Sequence, residues 1–120
     1  MSKNLIVAGS RGFDDYGLLE KHLGEFSFDG IISGGAKGAD ALGERYAIHH
    51  CKTLSVFPAD WDKHGKKAGF LRNIEMSRSG DIAIVFWDGQ SKGSKHMIQT
   101  MQTAGKPCFV VFNPKDMRKP

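Results

Sequence analysis

Cysteine is scarce in this chain. Cys51 and Cys108 are the two it has, each inside an apolar-patterned segment and neither in a CxxC pair, which argues against a zinc site or a disulfide and makes buried thiols the expectation. Long apolar runs are missing too, since none approaches the ~20 residues of a membrane-spanning helix. The first residues, Met1-Ser2-Lys3-Asn4, lead straight into a short strand-like run without the apolar region and cleavage site of a signal peptide, so the expected location is the cytoplasm. There is no Walker A sequence and no GxGxxG fingerprint. Nor does spacing define a Ser-His-Asp or Cys-His arrangement, because such groups are recognised by geometry. No repeat, low-complexity tract or linker divides the 120 residues, a length that suits one domain on one core.

Acidic side chains are the scarcer charge, 13 against 17 basic, which leaves a net +4. The excess is a mild attraction for anions, and part of it is Lys115, Arg118 and Lys119 in the closing "NPKDMRKP". Residues 1–114 are therefore expected to form the domain, and residues 115–120 a basic tail that frays and serves solubility.

Five short runs are rich in Val, Ile and Phe with little polar alternation: Leu5 to Ala8, Gly30 to Ser33, Thr53 to Phe57, Ile82 to Trp87 and Cys108 to Phe112. Such runs suit parallel strands covered on both faces. Helical stripes lie between them: Leu18, Leu19, His22, Leu23 and Phe26; Ala39, Leu42, Gly43, Tyr46, Ala47 and His50; Phe70, Leu71 and Ile74; Met97, Ile98, Met101 and Ala104. Asp14 and Asp15 can cap the first helix, while Gly80 and Gly105 can close the third and fourth. The alternation predicts an α/β fold, a doubly wound parallel sheet of about five strands with helices on both faces.

In such a sheet ligands sit beyond the carboxyl ends of the strands, where the strand order reverses. Three glycine-bearing turns fall at those ends: Gly9-Ser10-Arg11-Gly12, Gly34-Gly35-Ala36-Lys37-Gly38 before Asp40, and Asp88-Gly89-Gln90-Ser91-Lys92-Gly93-Ser94. Each leads toward a helix N-terminus, whose unpaired amides and dipole favour an anion, and glycine lets a phosphate come close. The same glycines would also serve tight turns alone. Arg72 and Asn73 in "RNIEM" stand beside them; Arg72 can pair with phosphate or form a surface salt bridge with Glu75. "PADW" can supply a wall, with Trp61 stacking on a base and Asp60 or Asp62 bonding a ribose, although Asp60 can equally cap a turn. His49 and His50 point to different helix faces, which suits no shared metal. His96 could touch a phosphate. No metal site or cofactor is expected.

"GSRGF", "SGGAKGADALGERYA", "PADWDKHGKKAGFLRNIEM", "FWDGQSKGSKHMI" and "GKPCFVV" together resemble, over nearly the whole chain, the YspA-like, cpYpsA-related branch of the SLOG superfamily. The resemblance implies a Rossmann-like fold, a nucleotide or nucleotide-derived ligand and a homo-oligomer, a dimer. The superfamily also includes the Lonely Guy phosphoribohydrolases. Their "RK..M" arginine is matched by Arg72 with Met76, and their "GGxGT" turn is similar to Gly89, Gly93 and Ser94. Lys95, His96 and Met97 fill the stretch where their catalytic glutamate should follow, so Asp40, Asp60, Glu75 or Asp88 would have to supply a carboxylate for that reaction. The DNA-processing protein A family shares "SGGA.G.D", the Arg72-Asn73 pair and the Ser91 to Ser94 turn. Three functions follow: a sensor or sequestering protein for a nucleotide, an N-glycosidic hydrolase or transferase, and a binder of single-stranded DNA. The modest charge favours the small ligand over a long phosphate backbone. The site is expected to combine Gly9, Ser10 and Arg11 as floor, both later loops, Trp61, and Arg72 for charge.

Overall fold

The computed structural model describes residues 3–113, so the tail lysines and arginine lie outside them. Strands β1 (Asn4–Gly9), β2 (Gly30–Ser33), β3 (Thr53–Val56), β4 (Ile82–Trp87) and β5 (Cys108–Phe112) alternate with helices α1 (Tyr16–Leu23), α2 (Ala39–His49), α3 (Trp61–His64), α4 (Ala68–Ser79) and α5 (Lys92–Thr103). A 3-10 turn at Gly65–Lys67 joins α3 to α4.

All strand pairs are parallel, in the order β3-β2-β1-β4-β5. The chain thus starts at the centre, builds outward through β2 and β3, then crosses back to lay β4 on the other side of β1. Strand order reverses between β1 and β4. The two faces of these central strands explain their unbroken apolar sequence. Leu5, Val7, Ile84 and Phe86 pack with Leu19, Leu23, Tyr46 and Ala47 of α1 and α2. Their neighbours Ile6, Ala8, Ala83 and Val85 pack with Met76, Met97 and Met101 of α4 and α5. Helices therefore flank both faces of a five-stranded parallel sheet, a mixed α/β architecture of Rossmann-like type.

Several expectations need correction. Continuous apolar sequence means cover on both faces for β1, β2 and β4, but β3 is exposed at all four residues and β5 is mostly exposed. Both are edge strands, and the crossover helices span the centre of the sheet, not its margins. Cys51 is exposed in the turn after α2, and only Cys108 is partly buried; burial pushes that thiol up to about 11. The α4 stripe is also turned. Phe70 and Leu71 are 45% and 38% exposed, whereas Ala68, Asn73, Met76 and Ser77 face inward. The "PADW" wall runs into a short helix, α3, that no helical stripe had marked, and Asp60 caps it by accepting from the Lys63 amide at 3.1 Å.

The expected helix ends are in place. Asp15 accepts from the Leu18 amide at 3.0 Å at the start of α1, and Gly80 ends α4. Lys106 adds a clamp there, its Nζ donating to the carbonyls of Ser77 at 2.7 Å and Gly80 at 2.9 Å. A cation on the last carbonyls of a helix is well matched to its dipole. That clamp fixes the far end of the helix carrying Arg72 and Asn73.

Candidate functional site

The reversal of strand order opens a cleft between the carboxyl ends of β1 and β4, walled by α4 and α5. It encloses about 450 Å³ and is lined by Gly9 and Arg11 after β1, Asp40 from α2, Trp61, Arg72 and Asn73 from the α3–α4 side, and Asp88, Ser91, Gly93 and Ser94 after β4. A neighbouring hollow of about 350 Å³ continues over Gly34 and Gly35. The three loops that sequence reading singled out thus meet at one place.

They meet there for different reasons, which the space around each glycine separates. A Cβ on Gly9 would overlap the Phe86 carbonyl oxygen and lie 2.7 Å from the Ala39 Cβ. One on Gly38 would overlap the Ser10 carbonyl oxygen and lie 2.6 Å from that of Arg11. These two glycines let the β1 loop and the start of α2 pack backbone against backbone. Gly34 is cleared for side chains of the protein itself, since its Cβ would overlap the Arg72 guanidinium and lie 2.7 Å from the Asp40 carboxylate. Gly89, at a φ of +87°, faces the Phe112 ring at 2.8 Å and does not line the cleft. Gly35 has a φ of +75° and would meet Val56 at 3.1 Å. Gly93 differs from all of these, because nothing lies within 4 Å of its Cβ position.

Asp40 and Arg72 form the charged centre. Asp40, 5% exposed, accepts from the Ala36 amide at 3.3 Å and so holds the β2–α2 loop closed. Burial raises its pKa to about 6; the Ala36 amide and the Arg72 charge pull the other way, and Glu44 adds to the rise. Glu44 is held below by Ser33 Oγ, which donates to it at 2.7 Å. Arg72 donates to the Gly34 carbonyl and, at 3.1 Å, to Asn73 Oδ1. Burial lowers its pKa, Asp40 resists, and the like charge of Arg11 adds to the fall. The alternative considered for Arg72, an ion pair with Glu75, does not form among the described residues; Glu75 is exposed and off the cleft. Arg11 is exposed and makes no side-chain hydrogen bond or ion pair among the described residues.

The opposite wall is the N-terminus of α5. Asp88 turns back to accept from the amides of Gln90 and Ser91, both at 2.8 Å. Burial opposes its ionisation, but these bonds and that to Ser10 prevail and hold its carboxyl below the ordinary range. Ser91 caps the helix, accepting from the Ser94 amide at 3.4 Å and from its hydroxyl at 3.1 Å. The Lys92 and Gly93 amides have no backbone or side-chain acceptor among the described residues. Helix starts leave such donors free for an anion. Asn73 ties this wall to α4, donating to the Gly93 carbonyl at 3.2 Å.

Ser10, expected in the floor, is a buried joint instead, its Oγ accepting from the Asp88 amide at 3.0 Å. Asp60 is exposed and lines neither hollow. His96 turns from the cleft to stack on Phe70, with ring centroids 4.2 Å apart. Trp61 is 53% exposed and lines both hollows. Sequence reading missed Lys66, Phe70 and Met97 in the main cleft, while the second hollow takes Lys37 from the loop before Asp40 and Pro58 and Ala59 from "PADW". Lys66 had no signal of its own. Phe70 was assigned to the core by its spacing.

The profile of the YspA, cpYpsA-related SLOG family matches residues 4–64. A curated relative, the Gene 61 protein of Mycobacterium phage D29, is 36% identical over 119 residues, covering 89% of this chain and 94% of that protein. No solved structure matches the chain.

Proposed function

The chain belongs to the YspA, cpYpsA-related SLOG family, and from that premise we propose that its cleft binds a nucleotide or nucleotide-derived metabolite as a sensor or sequestering protein. Family membership supports a nucleotide-related ligand. The observation that carries the reading is the meeting, around one hollow, of the unoccupied amide of Gly93, at the N-terminus of α5, with Arg11 and Arg72. Lys66 adds a third cation to the lining. Donors on both walls of one cleft suit phosphate, and the exposed Trp61 ring at the mouth offers a base a stacking surface.

A second reading rests on Asp40. A carboxyl with a pKa of about 6 beside a cleft is suited to proton transfer near neutral pH, which supports an N-glycosidic hydrolase. Its engagement with the Ala36 amide and Arg72 argues for a structural role first.

The test is ligand carried through purification, identified by mass spectrometry, followed by titration of nucleotides and an oligonucleotide at two salt concentrations. A small phosphate ligand should lose little affinity as salt rises, whereas a DNA strand covering several phosphates should lose affinity steeply. Steeply salt-dependent oligonucleotide binding with no nucleotide binding would replace this reading with single-stranded DNA binding.

A further inference from the structure

Asn73 joins the two walls of the cleft, and the chemistry of its partners fixes the direction of every bond it makes. Its Oδ1 faces Arg72 Nε at 3.1 Å, and a guanidinium can only donate. Its Nδ2 faces the Gly93 carbonyl oxygen at 3.2 Å, which can only accept. These two hold the side-chain amide in one orientation and leave its second Nδ2 hydrogen for His96 Nδ1, 3.2 Å away. That nitrogen must therefore accept. The ring carries its proton on Nε2 and is neutral.

The rest of the ring's surroundings agree. The Thr100 hydroxyl, 3.4 Å from Nε2 and 3.5 Å from Nδ1, gives its own proton to the His96 carbonyl at 2.7 Å, so toward the ring it accepts. Phe70 stacks on the ring and fixes its plane. A second proton would go to Nδ1 and set an N–H against the N–H of Asn73. Asn73 cannot answer by turning its amide over, because that would aim Nδ2 at Arg72 and Oδ1 at the Gly93 carbonyl. Asn73 is also buried, where a donor without an acceptor is costly.

The charges around His96 do little to change this. Helix α5 packs against α4 and against β1, β4 and β5. The three strands carry no charged side chain, and the Cys108 thiol, pushed up to about 11, stays neutral. Helix α4 brings Arg72, Glu75 and Arg78, and α5 itself brings Lys92 and Lys95. Burial is what moves the His96 pKa, and it moves it below the ordinary histidine value, so the ring takes its second proton only in acid.

Building on the proposed nucleotide binding, we propose that His96 is a proton-sensitive positioning residue: neutral, it completes the Asn73 bridge between Arg72 and the start of α5, and protonated, it opens that bridge and loosens the cleft's hold on an anionic ligand. Simple electrostatics has the opposite sign, since one more positive charge nearby would tighten an anion. His96 does not line the cleft. Its effect reaches the ligand through Asn73.

The experiment is a pH titration of the isotope-labelled full chain by NMR, followed by binding. Long-range proton–nitrogen spectra of the His96 ring should show the Nε2–H tautomer at pH 7.5, and the Asn73 side-chain amide should shift with the same midpoint as the ring. An Nδ1–H tautomer, or an Asn73 amide that ignores the ring's titration, overturns the proposal. Binding is then measured by calorimetry at pH 7.5 and pH 5 with the tightest of a panel of AMP, UMP and ADP-ribose. His96→Asn keeps an acceptor where Nδ1 stands and has nothing to titrate, so it should match the parent at pH 7.5. At pH 5 the parent should bind about tenfold weaker than this variant, the cost of one lost buried partner. Titration of the ligand and of Asp40 is common to both proteins and drops out of the comparison. Equal affinities at pH 5, or a tighter parent, overturn the proposal. Should His96→Asn not fold, the parent's spectra decide alone. If none of the panel binds, the nucleotide reading and the acid-dependent affinity fall together, while the ring and amide signals still decide the bridge.

Discussion

Gly93→Val separates a ligand-facing glycine from a structural one. Beyond its chain neighbours and its own helix backbone, nothing lies within 4 Å of the Cβ position at Gly93, which lines the cleft. The substitution's cost to the fold should be negligible, because glycine is about 0.8–1 kcal/mol worse than alanine in a helix and valine is no worse than that. The melting temperature should therefore hold or rise slightly. Binding should fall, since the isopropyl group would stand beside the Gly93 amide and displace whatever it holds. A hydrogen bond to a charged group contributes roughly 1.5–3 kcal/mol, which at about 1.4 kcal/mol per decade corresponds to a loss of ten- to a hundredfold or more. Isothermal calorimetry with the tightest nucleotide of the panel, beside a thermal melt, reads both quantities. Gly34→Val is the contrast, and it should lower the melting temperature because its Cβ would overlap the Arg72 guanidinium. If Gly93→Val keeps its melting temperature and binds as the parent does, the α5 N-terminus does not hold the ligand and the argument is refuted.

Two further outcomes follow from Asp40. Its folded pKa of about 6 lies above its ordinary 3.8, so the folded state holds the proton more tightly, and the stability this group contributes is present below pH 3.8, is lost as pH rises toward 6 and is level above that. The loss is on the order of 3 kcal/mol. Asp40→Asn, which keeps an acceptor for the Ala36 amide, should therefore melt above the parent at pH 7.5, with the gap closing toward pH 4; a lower melting temperature at pH 7.5 would show that attraction to Arg72 outweighs desolvation. Incubation with nucleoside monophosphates should release no free base. Release that disappears in Asp40→Asn or Asp88→Asn without loss of binding would replace the binding reading with the hydrolase.

The central strands were legible because their apolar runs are covered on both faces. Ile6 and Val7 are adjacent and both 0% exposed, since successive side chains enter opposite cores. The same inference overreached at β3, where Leu54 and Val56 are apolar and exposed; a parallel strand's sequence does not say whether a neighbour lies on its far side. On α4 the apolar rule failed at the site itself. Asn73 faces inward because it joins Arg72 to Gly93, and Phe70 faces the cleft and His96. A stripe drawn from hydrophobicity alone selects the wrong face wherever a polar side chain is needed inside and an aromatic one is needed at an opening.

The glycine-rich segment "SGGAKGAD" is the most conspicuous stretch of the sequence, yet much of its glycine answers to the protein. Gly34 makes room for Arg72 and Asp40, and Gly38 for the β1 loop. The less conspicuous Gly93, inside a helical first turn, has open space at its Cβ position and lines the cleft. Composition records that a side chain is absent and cannot record what fills the space. Arg72 shows why the distinction bears on function. It is no surface salt bridge with Glu75, because one donor engages the Gly34 carbonyl and another engages Asn73, which in turn bonds the Gly93 carbonyl. A phosphate bound to the remaining face of Arg72 would load the β2–α2 loop and the start of α5 through bonds already made. The two glycine loops are joined through this one side chain before any ligand arrives, so substitution of Arg72 should disturb both walls of the cleft, whereas substitution of Gly93 disturbs only what the cleft holds.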